Sequence, residues 1–431
     1  MVDRSVPWPA NFGTAIWEKC PGVFEDSGSG LHDECTVFEG IVRAADDFRS
    51  GAMRDHHDLK FHVGDAVVVD PSPYLPNGSD NLDQYLARLR HLLSERPFTL
   101  LINNFQEFSP DMCRRLRLFA RNILEHLGML PAGMVSSHVL LARYGVSPFA
   151  VHKDPNSVFT FMVRGRKTLR VWPFEALAHR TKRPFARHRQ VNLYNFDYRP
   201  IQSTGLPLEG DIGNVLYWPS TFWHVGEANP NSVHISIHLT FDVHSEPRGE
   251  VLDLLSETVE GSLSEADWHG SYSIGNVHGG LIEPPEQLNR ALCALTEELQ
   301  SSLADSLTVQ WLRRMSAQGF STLARSESSA KRYIVDPGRT LLQGDAAFPV
   351  YWMMADGSVT LAAHGRVIRF PIRAWTDDFL TAVSSARGFR ITELGQQWAP
   401  EWDAITAVAT RLIEIGAVSE MGMEDAQPTS E

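Results

Sequence analysis

A mainly β core, a small antiparallel barrel or sandwich with helices on either side of it, is the fold class this sequence predicts. Residues Val233 to Phe241 alternate without a break: Val233, Ile235, Ile237, Leu239 and Phe241 on one side, His234, Ser236, His238 and Thr240 on the other. A strand has a period of two, so in a barrel one of these faces looks into the lumen. From Met134 to Val243 short strand-like runs follow one another between turn residues, as in small closed β folds. Outside that stretch the apolar spacing becomes helical.

Up to about residue 80 the chain is rich in Asp, Pro and Gly and yields no clear element. Ser79-Asp80 offers an N-cap to a helix carrying Leu82, Tyr85, Leu86, Leu89 and Leu93. A strand over Phe98–Asn103 precedes a second helix, with Ser109 as cap, Pro110 at its first position and Gly128 at its end. Within the β stretch, Val158–Val163 and Lys167–Val171 flank Arg164-Gly165-Arg166, which reads as a hairpin. Val215–Trp218 is a strand stopped by Pro219. Helices return after residue 246, over Pro284–Leu299 and Ser306–Met315. The final part reads as a strand, a helix over Ile372–Ser385, a short helix after Thr392, and a helix from Glu401 to Ile415 ending at Gly416. That order is close to a winged-helix pattern. The expected organisation is therefore a β domain with an N-terminal helical extension over 1–245, and a helical linker over 246–340 that is a candidate dimerisation segment. A winged-helix-like domain over 341–422 and a disordered acidic tail over 423–431 follow.

Composition narrows the function. The chain has 431 residues, 43% hydrophobic and 21% charged, with a formal net charge of −13. Residues 341–431 hold six Lys and Arg against twelve Asp and Glu, so no DNA-reading wing is expected. No apolar run approaches the length of a membrane span, and the first residues lack the apolar core of a signal peptide. Cysteines at 20, 35, 113 and 293 form no Cys-x-x-Cys pair, which argues against a zinc knuckle or a disulfide framework and suits a reduced cytoplasm.

The chemistry concentrates at His152-Lys153-Asp154 and His224. Residues i and i+2 of a strand point to one face, so His152 and Asp154 can reach a single ion. With His224 they make a two-histidine, one-carboxylate set, which holds one face of iron(II) and leaves the other open to a co-substrate and dioxygen. Taken alone, His-x-Asp is common in solvated turns. His224, however, follows an aromatic run of Tyr217, Trp218, Phe222 and Trp223 able to keep water from a reactive centre. Lys167, fifteen residues after His152, is a cation suited to the distal carboxylate of a dicarboxylic co-substrate. Tyr144 or Ser236 is a candidate hydroxyl partner for that co-substrate. Trp223, His234 and His238 are candidates for the substrate pocket. The basic run His179–Arg189 is a solvated loop or a steering surface for an acidic substrate.

Residues 134–243 resemble a Jumonji C (JmjC) domain of the cupin type. The matching pieces are His152-x-Asp154, Phe159, Gly165-Arg-Lys167-Thr-Leu-Arg-Val-Trp-Pro173, Gly210-Asp, and Val215-Leu-Tyr-Trp-Pro-x-x-Phe-Trp-His224. The layout is also similar to the bacterial ribosomal-oxygenase branch of that family, including Phe12-x-x-x-x-Trp17-Glu-Lys-x-Pro21 near the start. The resemblance implies a double-stranded β-helix (jelly roll), iron(II) on His152, Asp154 and His224, 2-oxoglutarate on Lys167, and dioxygen as oxidant. It implies hydroxylation of a C–H bond in a protein, peptide or amino-acid-like substrate, with no catalytic residue beyond the metal ligands. A hydroxylase of a small amino-acid-like metabolite and a non-catalytic binding module are the competing expectations.

Overall fold

A computed structural model of the chain describes residues 9, 11–25, 29–53, 55, 58–131, 133–181, 189–244, 289–290, 292–293, 296, 303–324, 333–345, 347–385 and 387–421. The N-terminal part runs β1 (Gly22–Glu25), α1 (Glu34–Ser50), β2 (Leu59–Val63), β3 (Ala66–Val67), α2 (Leu82–Leu93), β4 (Phe98–Asn103) and α3 (Pro110–Leu127). The barrel strands follow: β5 (Val135–Arg143), β6 (Val151–Lys153), β7 (Asn156–Arg164) and β8 (Lys167–Pro173). After a one-turn α4 (Phe174–Leu177) come β9 (Val191–Leu193), β10 (Leu206–Gly210), β11 (Asn214–Trp218), β12 (Phe222–Ala228) and β13 (His234–Asp242).

Two antiparallel sheets face each other. One has the order β1-β11-β7-β13-β5-β4-β2-β3, the other β10-β8-β12-β6-β9. β5 to β8 alternate between the two sheets, and so do β10 to β13, in the manner of a double-stranded β-helix. The reading of residues 158–171 as a hairpin is corrected by this topology. β7 pairs with β11 and β13, whereas β8 pairs with β10 and β12, so the turn at Arg164-Gly165-Arg166 carries the chain from one sheet to the other. Gly165 has φ +70°, and a Cβ there would sit 2.8 Å from the Val233 carbonyl oxygen, so only glycine turns this corner without displacing β13.

The alternation of β13 is realised as expected. Ile235, Ile237, Leu239 and Phe241 are buried with α1, α2 and α3 in the large apolar core, while His234, Ser236, His238 and Thr240 lie on the opposite, lumen face. Burying each such aliphatic side chain contributes about 1.5–3 kcal/mol, enough to forbid a one-residue slip of the strand. A smaller apolar cluster of Val158, Met162, Leu169, Val171, Leu208, Leu216 and Trp218 fills the lumen between the sheets.

α3 begins and ends as its sequence predicts: Ser109 accepts from the Met112 amide at 3.3 Å, and Gly128 closes the helix at φ +65°. At α2 the cap moves to Asn81, whose side chain and that of Gln84 cap each other's amides. Asp80 instead accepts from the Asn77 amide and pairs with Arg88. α1 lies in the stretch that showed no clear periodicity. Asp33 caps it, Gly51 ends it at φ +72°, and Val37, Phe38, Ile41, Ala44 and Ala45 form its buried stripe.

Downstream, α5 (Leu303–Ser316) matches the expected helix around Ser306–Met315, while the helix expected over Pro284–Leu299 falls largely outside the described residues, as does most of the candidate dimerisation segment. Then come β14 (Leu341–Gly344), β15 (Tyr351–Ala355), β16 (Ser358–Ala363), β17 (Arg366–Pro371), α6 (Thr376–Ser384), α7 (Trp402–Glu414) and β18 (Val418–Met421). β15, β16 and β17 form one sheet and β14 pairs with β18. The helix expected from Ile372 starts four residues later, because Arg373 and Thr376 form a turn first. Val335 to Val418 share an apolar core separate from that of the barrel. The acidic tail expected over 423–431 lies outside the described residues.

Arg117 of α3 joins the two parts. It is 4% exposed, donates to Gln318 Oε1 at 2.8 Å and to the Ser316 carbonyl, meets His364 Nδ1 at 2.6 Å, and lies 3.8 Å over the Phe348 ring. No helix among the described residues is long and apolar enough to cross a membrane.

Candidate metal centre

β6 and β12 are short antiparallel neighbours, and their register places His152 directly opposite His224. Cross-strand partners on one face lie within side-chain reach, and the two imidazole centroids are 4.1 Å apart. Asp154 follows β6, with its Oδ2 3.7 Å from His152 Nε2 and 3.5 Å from His224 Nε2. Those separations are too long for good hydrogen bonds. One donor atom from each residue lies within 4.8 Å of the other two, the arrangement of a ligand set.

The protonation chemistry fits a cation. His152 Nδ1 lies 3.0 Å from the Ala150 carbonyl oxygen, which places the proton on Nδ1 and leaves the Nε2 lone pair turned to Asp154. Ala150 holds a left-handed φ of +57° to present that carbonyl, a strain of the kind that functional loops carry. His224 is 4% exposed; burial, then the nearby His152, pushes its pKa well below the usual imidazole value, so it stays neutral and able to ligate. The Asp154 side chain keeps 26% of its surface exposed and marks the mouth of the site.

Lys153, between the two ligands, is wholly buried and donates to the carbonyls of Asp154 and Ser220, tying the β6 end to the turn before β12. Ser220 is held in turn by Glu18, whose carboxylate accepts from the Ser220 amide and hydroxyl and from the Ser157 hydroxyl. The preceding Trp17 stacks on Phe159 and Tyr217. The N-terminal segment thus braces the turn that delivers His224. Sequence alone placed Glu18 in the Phe12–Pro21 pattern but gave its carboxylate no role.

The expected aromatic wall is divided by strand alternation. Trp218 lies 4.9 Å from His224 and, with Phe222, packs on the lumen cluster. Tyr217 and Trp223 point the other way: Tyr217 accepts from the Glu18 amide, and Trp223 donates to the Phe174 carbonyl among Val151, Trp172 and Val225. Trp223 is therefore withdrawn from the substrate pocket, because it sits on the opposite face of β12 from its neighbour His224.

Lys167 is buried on the same face of β8 as Leu169 and Val171, and burial lowers its pKa from 10.5 to about 7. Tyr144 is buried nearby, its hydroxyl beside Ser147 but without a well-formed hydrogen bond. Ser236 is engaged with His238 Nε2 at 3.1 Å, while His238 Nδ1 meets Thr160 at 2.9 Å. His234 sits further along β13 with its ring 4.7 Å from that of Tyr144. A further lumen imidazole, His138, stacks on His238 at 4.5 Å. It was legible in principle, since it shares strand parity with Tyr144. Of the basic run, residues 182–188 fall outside the described residues; Arg180 packs 4.5 Å over the Phe196 ring.

Comparison with known proteins agrees with this geometry. Residues 118–246 match the family model described as the JmjC domain. The X-ray structure of E. coli YcfD is similar at a TM-score of 0.51 and 16% identity, over 95% of this chain and 97% of that one. A second structure, of YcfD described as a ribosomal oxygenase from Escherichia coli, is similar at 0.50 and 16%, over 97% and 99%. At such identity the likeness is one of fold. No curated protein matches the chain in sequence. The triad, Lys167 and Tyr144 all fall inside the span that matches the JmjC domain, and the barrel has the cupin fold.

Proposed function

We propose that the chain is an iron(II)- and 2-oxoglutarate-dependent oxygenase that hydroxylates a C–H bond of an amino-acid side chain in a protein. The observation carrying this reading is the convergence of His152, Asp154 and His224 on paired strands inside a JmjC barrel, with Lys167 buried further along the same lumen. Bound iron(II) supplies dioxygen activation coupled to oxidative decarboxylation of 2-oxoglutarate to succinate and carbon dioxide. The rest falls to the protein's own groups.

The Ala150 carbonyl orients His152, and Lys153 pins the strand end, so the ligands are set in place before anything binds. Trp218 and Phe222 exclude water behind His224. The Lys167 ammonium receives the far carboxylate of 2-oxoglutarate, with the Tyr144 hydroxyl as its partner. Ser236 is the weaker candidate, because its hydroxyl is already engaged by His238. Asp154, at the mouth, keeps a protein oxygen where a smaller residue would leave room for halide, which favours hydroxylation. A protein substrate is supported by the fold shared with a protein described as a ribosomal oxygenase, and a ribosomal protein met in the cytoplasm is the favoured class.

The test is conversion of 2-oxoglutarate to succinate by the iron-loaded protein, followed by mass spectrometry of ribosomal proteins incubated with it. Succinate release and a product one oxygen heavier are expected, both lost in Asp154→Ala. Iron-loaded protein that yields no succinate with any candidate substrate would make the barrel a binding module. Oxygen found only on a free amino acid would keep the oxygenase and overturn the protein substrate.

A further inference from the structure

Lys167 faces Ala228 of β12, four residues along the strand from His224, so the lumen has a second polar region beyond the metal ligands. Three side chains there are buried with polar atoms unspent. Lys167 makes no hydrogen bond or ion pair among the described residues. The Tyr144 hydroxyl and both ring nitrogens of His234, which is 1% exposed, lack partners too. The rings of Tyr144 and His234 meet edge-to-face at 82°. Buried polar groups are almost always paired, so three without partners in one region mark a place where a ligand completes the bonding.

The backbone leaves space for that ligand. A Cβ on Gly226 would lie 2.9 Å from the Tyr144 hydroxyl, 3.2 Å from Lys167 Cε and 3.4 Å from Ser147 Cβ. Any side chain there would fill the gap between the phenol and the ammonium. The other lumen imidazoles do not compete for the role: His238 has both nitrogens engaged, and His138 is partly exposed.

We propose that His234 is a third binding group for the far carboxylate of the co-substrate, donating an imidazole N–H beside the Lys167 ammonium and the Tyr144 hydroxyl. The proposal rests on the reading of the chain as a 2-oxoglutarate enzyme. Burial, and next the charge of Lys167, lower the His234 pKa to about 3, so the ring is neutral and carries one donor. A carboxylate has four lone-pair sites and suits donors of three kinds converging in a dry cavity. A keto acid lacking the distal carboxylate leaves all three donors unmet, so the cluster also selects for a dicarboxylate.

Isothermal titration of the anaerobic iron(II)-loaded protein with 2-oxoglutarate, and with pyruvate as the keto acid without a distal carboxylate, tests this without turnover. His234→Ala should weaken 2-oxoglutarate binding about tenfold and leave pyruvate binding unchanged. His234→Gln, which restores a donor, should recover most of the loss. Equal weakening toward both ligands, or no weakening toward 2-oxoglutarate, overturns the assignment. Wild-type protein that binds iron but neither keto acid overturns the 2-oxoglutarate reading itself, and this inference with it.

Discussion

Replacing Lys167 with methionine removes a buried ammonium while keeping most of the side-chain volume, and the protein without co-substrate should become more stable. Burial alone lowers this lysine's pKa from 10.5 to about 7. The folded chain therefore holds the proton less tightly than the unfolded chain. The protonated amine opposes folding in full below about pH 7, the penalty fades as pH rises from 7 toward 10.5, and above that it is gone. The gap between the two values corresponds to on the order of 5 kcal/mol at its largest. Relaxation of the barrel and the wetness of the lumen will reduce it, so a gain of about 2–4 kcal/mol at pH 7 is expected. Urea unfolding followed by tryptophan fluorescence reads this directly, at pH 7 and at pH 9.5, where the gain should fall below half. Saturating 2-oxoglutarate should stabilise the wild type and not the variant, since only the former has a cation for the distal carboxylate. A variant less stable than wild type at pH 7, or one equally favoured at both pH values, would show that Lys167 is paired in the empty barrel and refute the reasoning.

Replacement of His152 or Asp154 by alanine should lower iron(II) affinity by more than about 100-fold, beyond what loss of an outer-shell partner costs. Metal analysis after dialysis measures it, and a melting point within a few degrees of wild type shows that the barrel persists; stoichiometric iron in either variant rules out the triad. Arg117→Ala should cost about 2–4 kcal/mol at the junction, since Gln318 and His364 lose a buried partner. Limited proteolysis should then release residues 333–421 from an intact barrel, and an unchanged digestion pattern would contradict this. The same junction should respond to acid. Burial, then Arg117, lower the His364 pKa to about 4, so the folded state resists a proton that the unfolded chain accepts near 6.5. Stability contributed there is lost as pH falls from about 6.5 toward 4 and changes no further below. His364→Gln should flatten that dependence in a pH series of melting points.

Much of the site was legible because it depends on spacing along one strand. The i, i+2 separation of His152 and Asp154 and the parity of His234, Ser236 and His238 follow from a period of two that no tertiary contact alters. The caps of α3 were legible for a similar reason, being satisfied within one turn of the chain. The JmjC resemblance rested on local motifs as well, and their span agrees with the matched domain.

What could not be read is what depends on residues far apart in sequence. Strand character over 158–171 was evident, but the partners of β7 and β8 lie roughly thirty-five to eighty-five residues away, and only their pairing shows that the turn crosses between sheets. An aromatic run before His224 was evident too, yet the side of β12 that faces the lumen depends on where β6 and β8 sit, and that choice removes Trp223 from the pocket. His138 and Glu18 acquire their roles only through His238 and Ser220, roughly one hundred residues off in one case and two hundred in the other. The sequence by itself determined which side chains share a strand face and what chemistry they offer, since that is local backbone geometry. Only the tertiary structure decided which faces meet, because burial is settled by packing between distant segments.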